Sequence, residues 1–135
     1  MSIDQYHKIK KSTQEDGIIY DIVHPESIPF EVKRVYYLFG TKPGVERGFH
    51  AHKKLQQFAV CVSGSCRFRL DDGFNKKEVL LDARDEGLVI GEMLWHEMYD
   101  FSHDCVLVVL ASDQYDESDY IRNYDEFLSL SKKCM

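Results

Sequence analysis

Several things are scarce in this chain, and each scarcity removes a class of function. No apolar run approaches the ~20 residues that a membrane-spanning helix needs. The first residues, Met1-Ser2-Ile3-Asp4-Gln5-Tyr6-His7, are polar and lack the apolar stretch of a secretory signal. Cytoplasm is therefore the expected location. Cysteine is limited to Cys61, Cys66, Cys105 and Cys134, and no two of them have the Cys-x-x-Cys spacing of a zinc site. Without a secretion signal, buried free thiols are expected rather than a disulfide framework. Basic residues are outnumbered, 17 Lys and Arg against 23 Asp and Glu, for a formal charge of −6. That excludes an overall basic footprint for nucleic acid, although a locally basic pocket for a phosphate remains open. No internal repeat, low-complexity tract or linker divides the chain, so residues 1–135 are expected to form a single domain.

What is present reads as β-structure. Apolar residues make up 44% of the 135 positions and aromatics 13%, enough for one hydrophobic core. Strand-like runs fall at Ile18 to Ile22, Val32 to Phe39, Gln57 to Val62, Cys66 to Leu70, Glu78 to Leu81, Leu88 to Ile90, Trp95 to Met98 and Cys105 to Ala111. Gln57–Val62 and Cys66–Leu70 read as a hairpin about Ser63-Gly64, and Asp71-Asp72-Gly73 as a second turn. His24-Pro25 and Ile28-Pro29 mark a loop. Short strands with frequent turns indicate an all-β, antiparallel sandwich or barrel. The period changes at the end. Tyr120, Ile121, Tyr124, Phe127 and Leu128 share one helical face, which predicts a C-terminal α-helix over about 118–131 with Ser118 or Asp119 as its N-cap. Asp113, Asp116, Glu117 and Asp119 read as solvated helix-start carboxylates.

The chemistry centres on Arg47-Gly48-Phe49-His50-Ala51-His52-Lys53-Lys54. Side chains alternate along a strand, so His50 and His52 share a face. Two imidazoles on one face can bind a metal or move protons. A small antiparallel barrel carrying Gly-x-His-x-His resembles the cupin superfamily, whose metal-binding members add a carboxylate shortly after the second His and a third His on a later strand. His96 supplies that later histidine, but Gln56 and Gln57 stand where the carboxylate would be. An amide is the weaker donor, so no metal is expected, and His50 and His52 are read as proton carriers. Proton abstraction beside a carbonyl also needs a donor for the growing enolate oxygen, a role open to Tyr36, Tyr37 and His96. Tyr36 and Tyr37 are strand neighbours, so only one can face the pocket directly. Arg34 and Arg47 can hold a charged tail. Trp95 can pack in the core or stack on a ligand ring.

Further strings extend the likeness: Val32-Lys33-Arg34-Val35-Tyr36-Tyr37, Trp95-His96-Glu97-Met98, Asp100-Phe101-Ser102, Leu110-Ala111-Ser112-Asp113 and Tyr115 to Arg122. With the His-x-His string, they resemble the sugar 3,4-ketoisomerases of the WxcM-like cupin group over roughly residues 28–128. The resemblance implies a cupin jelly-roll barrel with a C-terminal helix. It implies an isomerase acting on dTDP-4-dehydro-6-deoxy-glucose, moving the ketone from C4 to C3 for 3-amino-sugar biosynthesis and surface glycans. It also implies that no metal or redox cofactor takes part, and a homodimer with exchanged N-terminal strands. His50, His52 and Tyr36 are then the expected catalytic residues; Arg34, Tyr37, Arg47, Trp95 and His96 are expected to bind substrate. Related 3,5-epimerases share an Arg-Gly-x-His string, matched by Arg47 and His50. One departure is Asp16-Gly17, where relatives often carry a basic residue. Rival readings are a metal-dependent cupin, a 3,5-epimerase and a non-catalytic nucleotide-sugar-binding module.

Overall fold

The computed structural model describes residues 5–23 and 28–133. His24 and Pro25 of the expected loop, and Cys134, lie outside them. The strands are β1 (Gln5–Lys8), β2 (Lys10–Gln14), β3 (Gly17–Asp21), β4 (Arg34–Phe39), β5 (Arg47–His52) and β6 (Gln57–Ser63). They continue with β7 (Cys66–Asp71), β8 (Lys76–Leu81), β9 (Glu86–Ile90), β10 (Trp95–Tyr99), β11 (Val106–Ala111) and β12 (Tyr120–Ile121). A 3₁₀ turn, Glu117–Asp119, precedes β12, and one α-helix, α1 (Tyr124–Lys133), follows it. One antiparallel sheet has the order β1-β9-β6-β11-β4, a second the order β12-β5-β10-β7-β8, and β2 with β3 makes a separate ribbon. This is the expected jelly-roll barrel.

The two sheets enclose a core that includes Ala59, Cys61, Phe68, Leu70, Leu88, Ile90, Leu107 and Val109. These residues come from the inward rows of β6, β7, β9 and β11, as period-two alternation requires. A second cluster lies on the outside of the other sheet, where Phe127 of α1 packs with Ala51, Trp95 and Ile121.

Two expectations need correction. β6 and β7 are consecutive but do not pair: β6 lies between β9 and β11, and β7 between β10 and β8. The chain at Ser63–Ser65 crosses from one sheet to the other, so Cys61 and Cys66 meet through the core instead of along a ladder. The C-terminal helix is also shorter than 118–131. Asp116 caps only the 3₁₀ turn by accepting from Ser118 N. Tyr120 and Ile121 pair with His52 and Ala51 as a strand. The helix begins after Asn123, whose side chain accepts from Glu126 N at 2.9 Å.

Candidate active site

β5 delivers the two histidines through an irregular turn of its backbone. Gly48 has φ +91° and Phe49 φ +62°. The register against β10 shifts there, with His96 opposite His50 and Glu97 opposite Gly48. A Cβ on Gly48 would stand 2.7 Å from the carbonyl oxygen of His96, so only glycine fits. The irregularity leaves Phe49 outside and keeps His50 and His52 on the inner face.

His50, His52 and His96 form one cluster. The His50 ring centroid is 4.9 Å from that of His52 and 4.6 Å from that of His96. Nδ1–H of His50 donates to Gly48 O, and Nδ1–H of His96 donates to Leu94 O, each at 3.1 Å. A carbonyl can only accept, so both rings are left with Nε2 as the unprotonated nitrogen. His52 Nδ1 lies 3.6 Å from Asp119 Oδ2, outside hydrogen-bond range. Asp119 is itself fixed by Lys54 N at 2.9 Å and Leu55 N at 3.1 Å. Burial lowers the pKa of His50. Burial and the neighbouring His50 bring His52 down to about 3, and burial brings His96 to about 3. All three imidazoles are thus neutral at pH 7, and the Asp119–His52 contact becomes an ion pair only when His52 takes a proton.

The cluster opens into a cavity of about 350 Å³ lined by Arg34, Tyr36, Arg47, His50, His96 and Tyr120, among others. That volume suits a small-molecule ligand. Gln57 Nε2 donates to Tyr36 Oη at 2.7 Å, which leaves the phenolic proton free to donate into the cavity. Burial holds the pKa of Tyr36 above its ordinary value, so the phenol keeps that proton. The Arg34 guanidinium lies 5.1 Å from the Tyr36 ring centroid, and its buried Nε has no partner among the described residues. Tyr37 points away: it is 66% exposed and stacks on Phe39, touching the cavity only as part of its lining.

Trp95 does not join the site, contrary to expectation. It neighbours His96 in β10 and therefore takes the opposite face, 5% exposed under α1, with Nε1–H donating to Glu97 at 2.9 Å. It lines a different, larger cavity of about 520 Å³ between the outer face of that sheet and α1, together with Phe49, Arg69 and Tyr124. No histidine lines that cavity among the described residues, so the candidate site is the smaller one.

Three contributors escaped the sequence reading. Tyr120 stacks edge-on to His52 with centroids 4.3 Å apart and lies 4.8 Å from His50. Asp119 backs His52, and Gln57 holds Tyr36. The first two sat in a stretch whose spacing imitates a helix, and no local signal tied them to β5. As for a metal, the three imidazoles offer nitrogens within 4.8 Å of one another, a set that zinc can accept. No carboxylate joins the three imidazoles in this set among the described residues, and Gln57, one of the two glutamines that follow the His-x-His string, turns its amide to Tyr36.

Comparison with known proteins gives concordant matches. A family described as FdtA, WxcM-like, C-terminal, matches residues 3–132. A TDP-4-oxo-6-deoxy-alpha-D-glucose-3,4-oxoisomerase from Aneurinibacillus thermoaerophilus is 56% identical over 118 residues, 87% of this chain and 85% of that protein. The solved structure of a mutant 3,4-ketoisomerase from Thermoanaerobacterium thermosaccharolyticum, in complex with TDP-4-keto-6-deoxyglucose, is 41% identical with TM-score 0.92, covering 98% of this chain and 96% of that one. A TDP-quinovose 3,4-ketoisomerase from Campylobacter jejuni is 43% identical with TM-score 0.89, covering 96% and 99% of the two chains.

Proposed function

We infer the function from the premise that this chain belongs to the FdtA, WxcM-like family: it is an isomerase, a TDP-sugar 3,4-ketoisomerase acting on TDP-4-keto-6-deoxyglucose. The 56% identical relative carries that activity in its name, and the 41% identical structure holds that sugar nucleotide. The observation that carries the mechanism is the pair His50 and His52, with ring centroids 4.9 Å apart, of which His50 opens on the 350 Å³ cavity.

C3–H of the substrate is alpha to the C4 ketone and is the acidic carbon-bound proton. Nε2 of His50 removes it, and an enediolate forms across C3 and C4. Tyr36 donates a hydrogen bond to the growing oxyanion with the proton that Gln57 leaves free. The proton on O3 passes to O4, and C4 receives a proton, which leaves the ketone at C3. His52, behind His50 and faced by Asp119, shuttles a proton at the neighbouring carbon or oxygen. Asp119 stabilises the imidazolium that this requires. His96 Nε2 accepts a hydrogen bond from a sugar hydroxyl. Arg34, with its unpartnered Nε, and Arg47 counter the charge of the diphosphate. General acid–base groups of this kind contribute about 10²–10⁴-fold each.

The chain works as a single domain in the cytoplasm and as a homodimer with exchanged N-terminal strands. Within one chain β1 pairs with β9; exchange makes the same pairing between subunits. The apolar side chains that β4 and the β2–β3 ribbon hold in solvent, among them Val35, Tyr37, Phe39, Ile18 and Ile19, support that assembly. The reaction is tested by proton NMR of the protein with TDP-4-keto-6-deoxyglucose in deuterated water. A 3-keto product deuterated at C4 is expected, and its couplings give the C4 configuration. Deuterium at C3 and C5 of an unmoved 4-ketone would mean an epimerase. Binding without exchange would mean a binding module. A requirement for zinc, tested by metal analysis and chelation, would move the histidine cluster to the metal reading.

A further inference from the structure

Below the substrate cavity lies a second cluster that the isomerase chemistry does not use. Cys61, Cys66 and Cys105 are all buried, at 1%, 0% and 5% exposure. Their sulfurs lie within 4.8 Å of one another, and Sγ of Cys61 is 3.6 Å from Sγ of Cys105. The three come from separate places: the end of β6, the start of β7, and the residue before β11. Each stands two residues from a lining residue of the substrate cavity, namely Ala59, Phe68 and Leu107, so the sulfurs form the next layer of the barrel interior.

The surroundings are apolar, with Leu81, Leu88 and Leu107 in the same core cluster. Asp104, the charged side chain that acts on the thiols, is negative. Burial pushes the Cys105 thiol up to about 12, and the contact with Cys61 together with burial raises that of Cys66, while the same contact lowers that of Cys61. Charge then selects the occupant. Three thiolates on a monovalent cation would leave two negative charges in the apolar barrel, and on a divalent cation one, at a desolvation cost of several kcal/mol per ion. A trivalent, thiophilic centre leaves none. Three bonds of about 2.3 Å to one centre space their sulfurs about 4 Å apart when planar, and closer when pyramidal; the Cys61–Cys105 separation of 3.6 Å already falls in that range, and Cys66, with its sulfur under 4.8 Å from both, closes on the centre by a small side-chain shift.

We propose that Cys61, Cys66 and Cys105 form a trithiol site that captures a soft trivalent centre of the arsenite class as a neutral tris-thiolate. In each of three substitutions an As–S bond forms and an As–OH bond breaks, and the thiol proton leaves with the hydroxide as water. Three waters depart, arsenic stays trivalent, and nothing is oxidised or reduced. Entry is at the crossing Ser63–Ser65, whose turn is held by Ser65 N donating to Ser102 Oγ at 2.9 Å and Ser102 N donating to Ser65 O at 2.9 Å.

The test is native mass spectrometry of the full chain, kept reduced by a phosphine, after incubation with sodium arsenite. The expected adduct gains one arsenic and loses three hydrogens, and Cys134→Ser leaves it intact. Cys66→Ala is expected to abolish it or leave an adduct that retains a hydroxyl. If the Cys66→Ala chain does not fold, arsenic-edge X-ray absorption of the unsubstituted protein decides, with three sulfurs and no oxygen expected. No adduct, an adduct retaining a hydroxyl on the unsubstituted chain, an oxygen in the arsenic shell, or loss of binding in Cys134→Ser would overturn the proposal.

Discussion

His50 and His52 differ in what surrounds them, and that difference sets what each can do. His50 has one nitrogen committed to Gly48 O and the other free at the cavity, the arrangement of a base ready to take a proton from carbon. His52 is 2% exposed, has no hydrogen bond on either ring nitrogen among the described residues, and faces Asp119 at 3.6 Å. His50→Asn is therefore expected to lower turnover by about 10²–10⁴-fold or more while the melting temperature changes little. Near-normal turnover in the deuterium-exchange assay would remove His50 from the mechanism. The same burial fixes a pH dependence of stability. An unfolded histidine titrates near 6.5, whereas His52 and His96 in the fold titrate at about 3. Between those values the unfolded chain binds protons that the folded chain refuses, so stability falls as pH drops below 6.5 and keeps falling to about 3. Above 6.5 these groups contribute no slope. Thermal melts from pH 8 to 4 read this directly, and His96→Gln should flatten the acid limb.

At the scale of elements, the turn of β5 at Gly48–Phe49 is the device that aims the site. A strand without it would keep the alternation but lose the register that sets His50 against His96. Gly48→Ala brings a Cβ to 2.7 Å from the His96 carbonyl at a φ of +91°. A loss of about 1–3 kcal/mol is expected, with activity falling more than melting alone explains because His50 and His96 separate. Calorimetry and turnover of one preparation check both. The C-terminal segment shows how a sound local argument can be overridden. Tyr120, Ile121, Tyr124 and Phe127 do share a helical spacing, yet Tyr120 and Ile121 pair with β5 because β5 leaves an edge free there. The pairing places Tyr120 beside the histidines, so an apparent core residue lines the histidine cavity.

For the whole molecule, the edge and outer face of β4 carry a large apolar surface. Val35, Tyr37 and Phe39 are each more than half exposed, at 57%, 66% and 67%. A contiguous patch of this kind on a lone chain favours association. Light scattering is expected to give twice the chain mass, and Phe39→Lys with Val35→Lys to shift it toward one. A monomer at micromolar concentration in the unsubstituted protein would count against the exchanged dimer. Neither substitution touches His50 or His52, so residual activity of the shifted form would show whether one chain completes the site.

The sequence alone determined the strand segments from β3 to β11, the shared face of His50 and His52, and, through several ordered motifs, the family. Those features are local: period two and turn chemistry act over a few residues, and a motif is a string. Tertiary structure decided which strands are neighbours, because β6 and β7 follow one another yet belong to different sheets. It decided that Tyr36 faces the cavity and that Trp95 lies beneath α1, because which of two alternating faces is inside depends on where the other layer packs. It brought Asp119 and Tyr120 to His52, and three separate cysteines into one layer, because such contacts join residues up to 68 positions apart by sequence number through packing that no local pattern encodes.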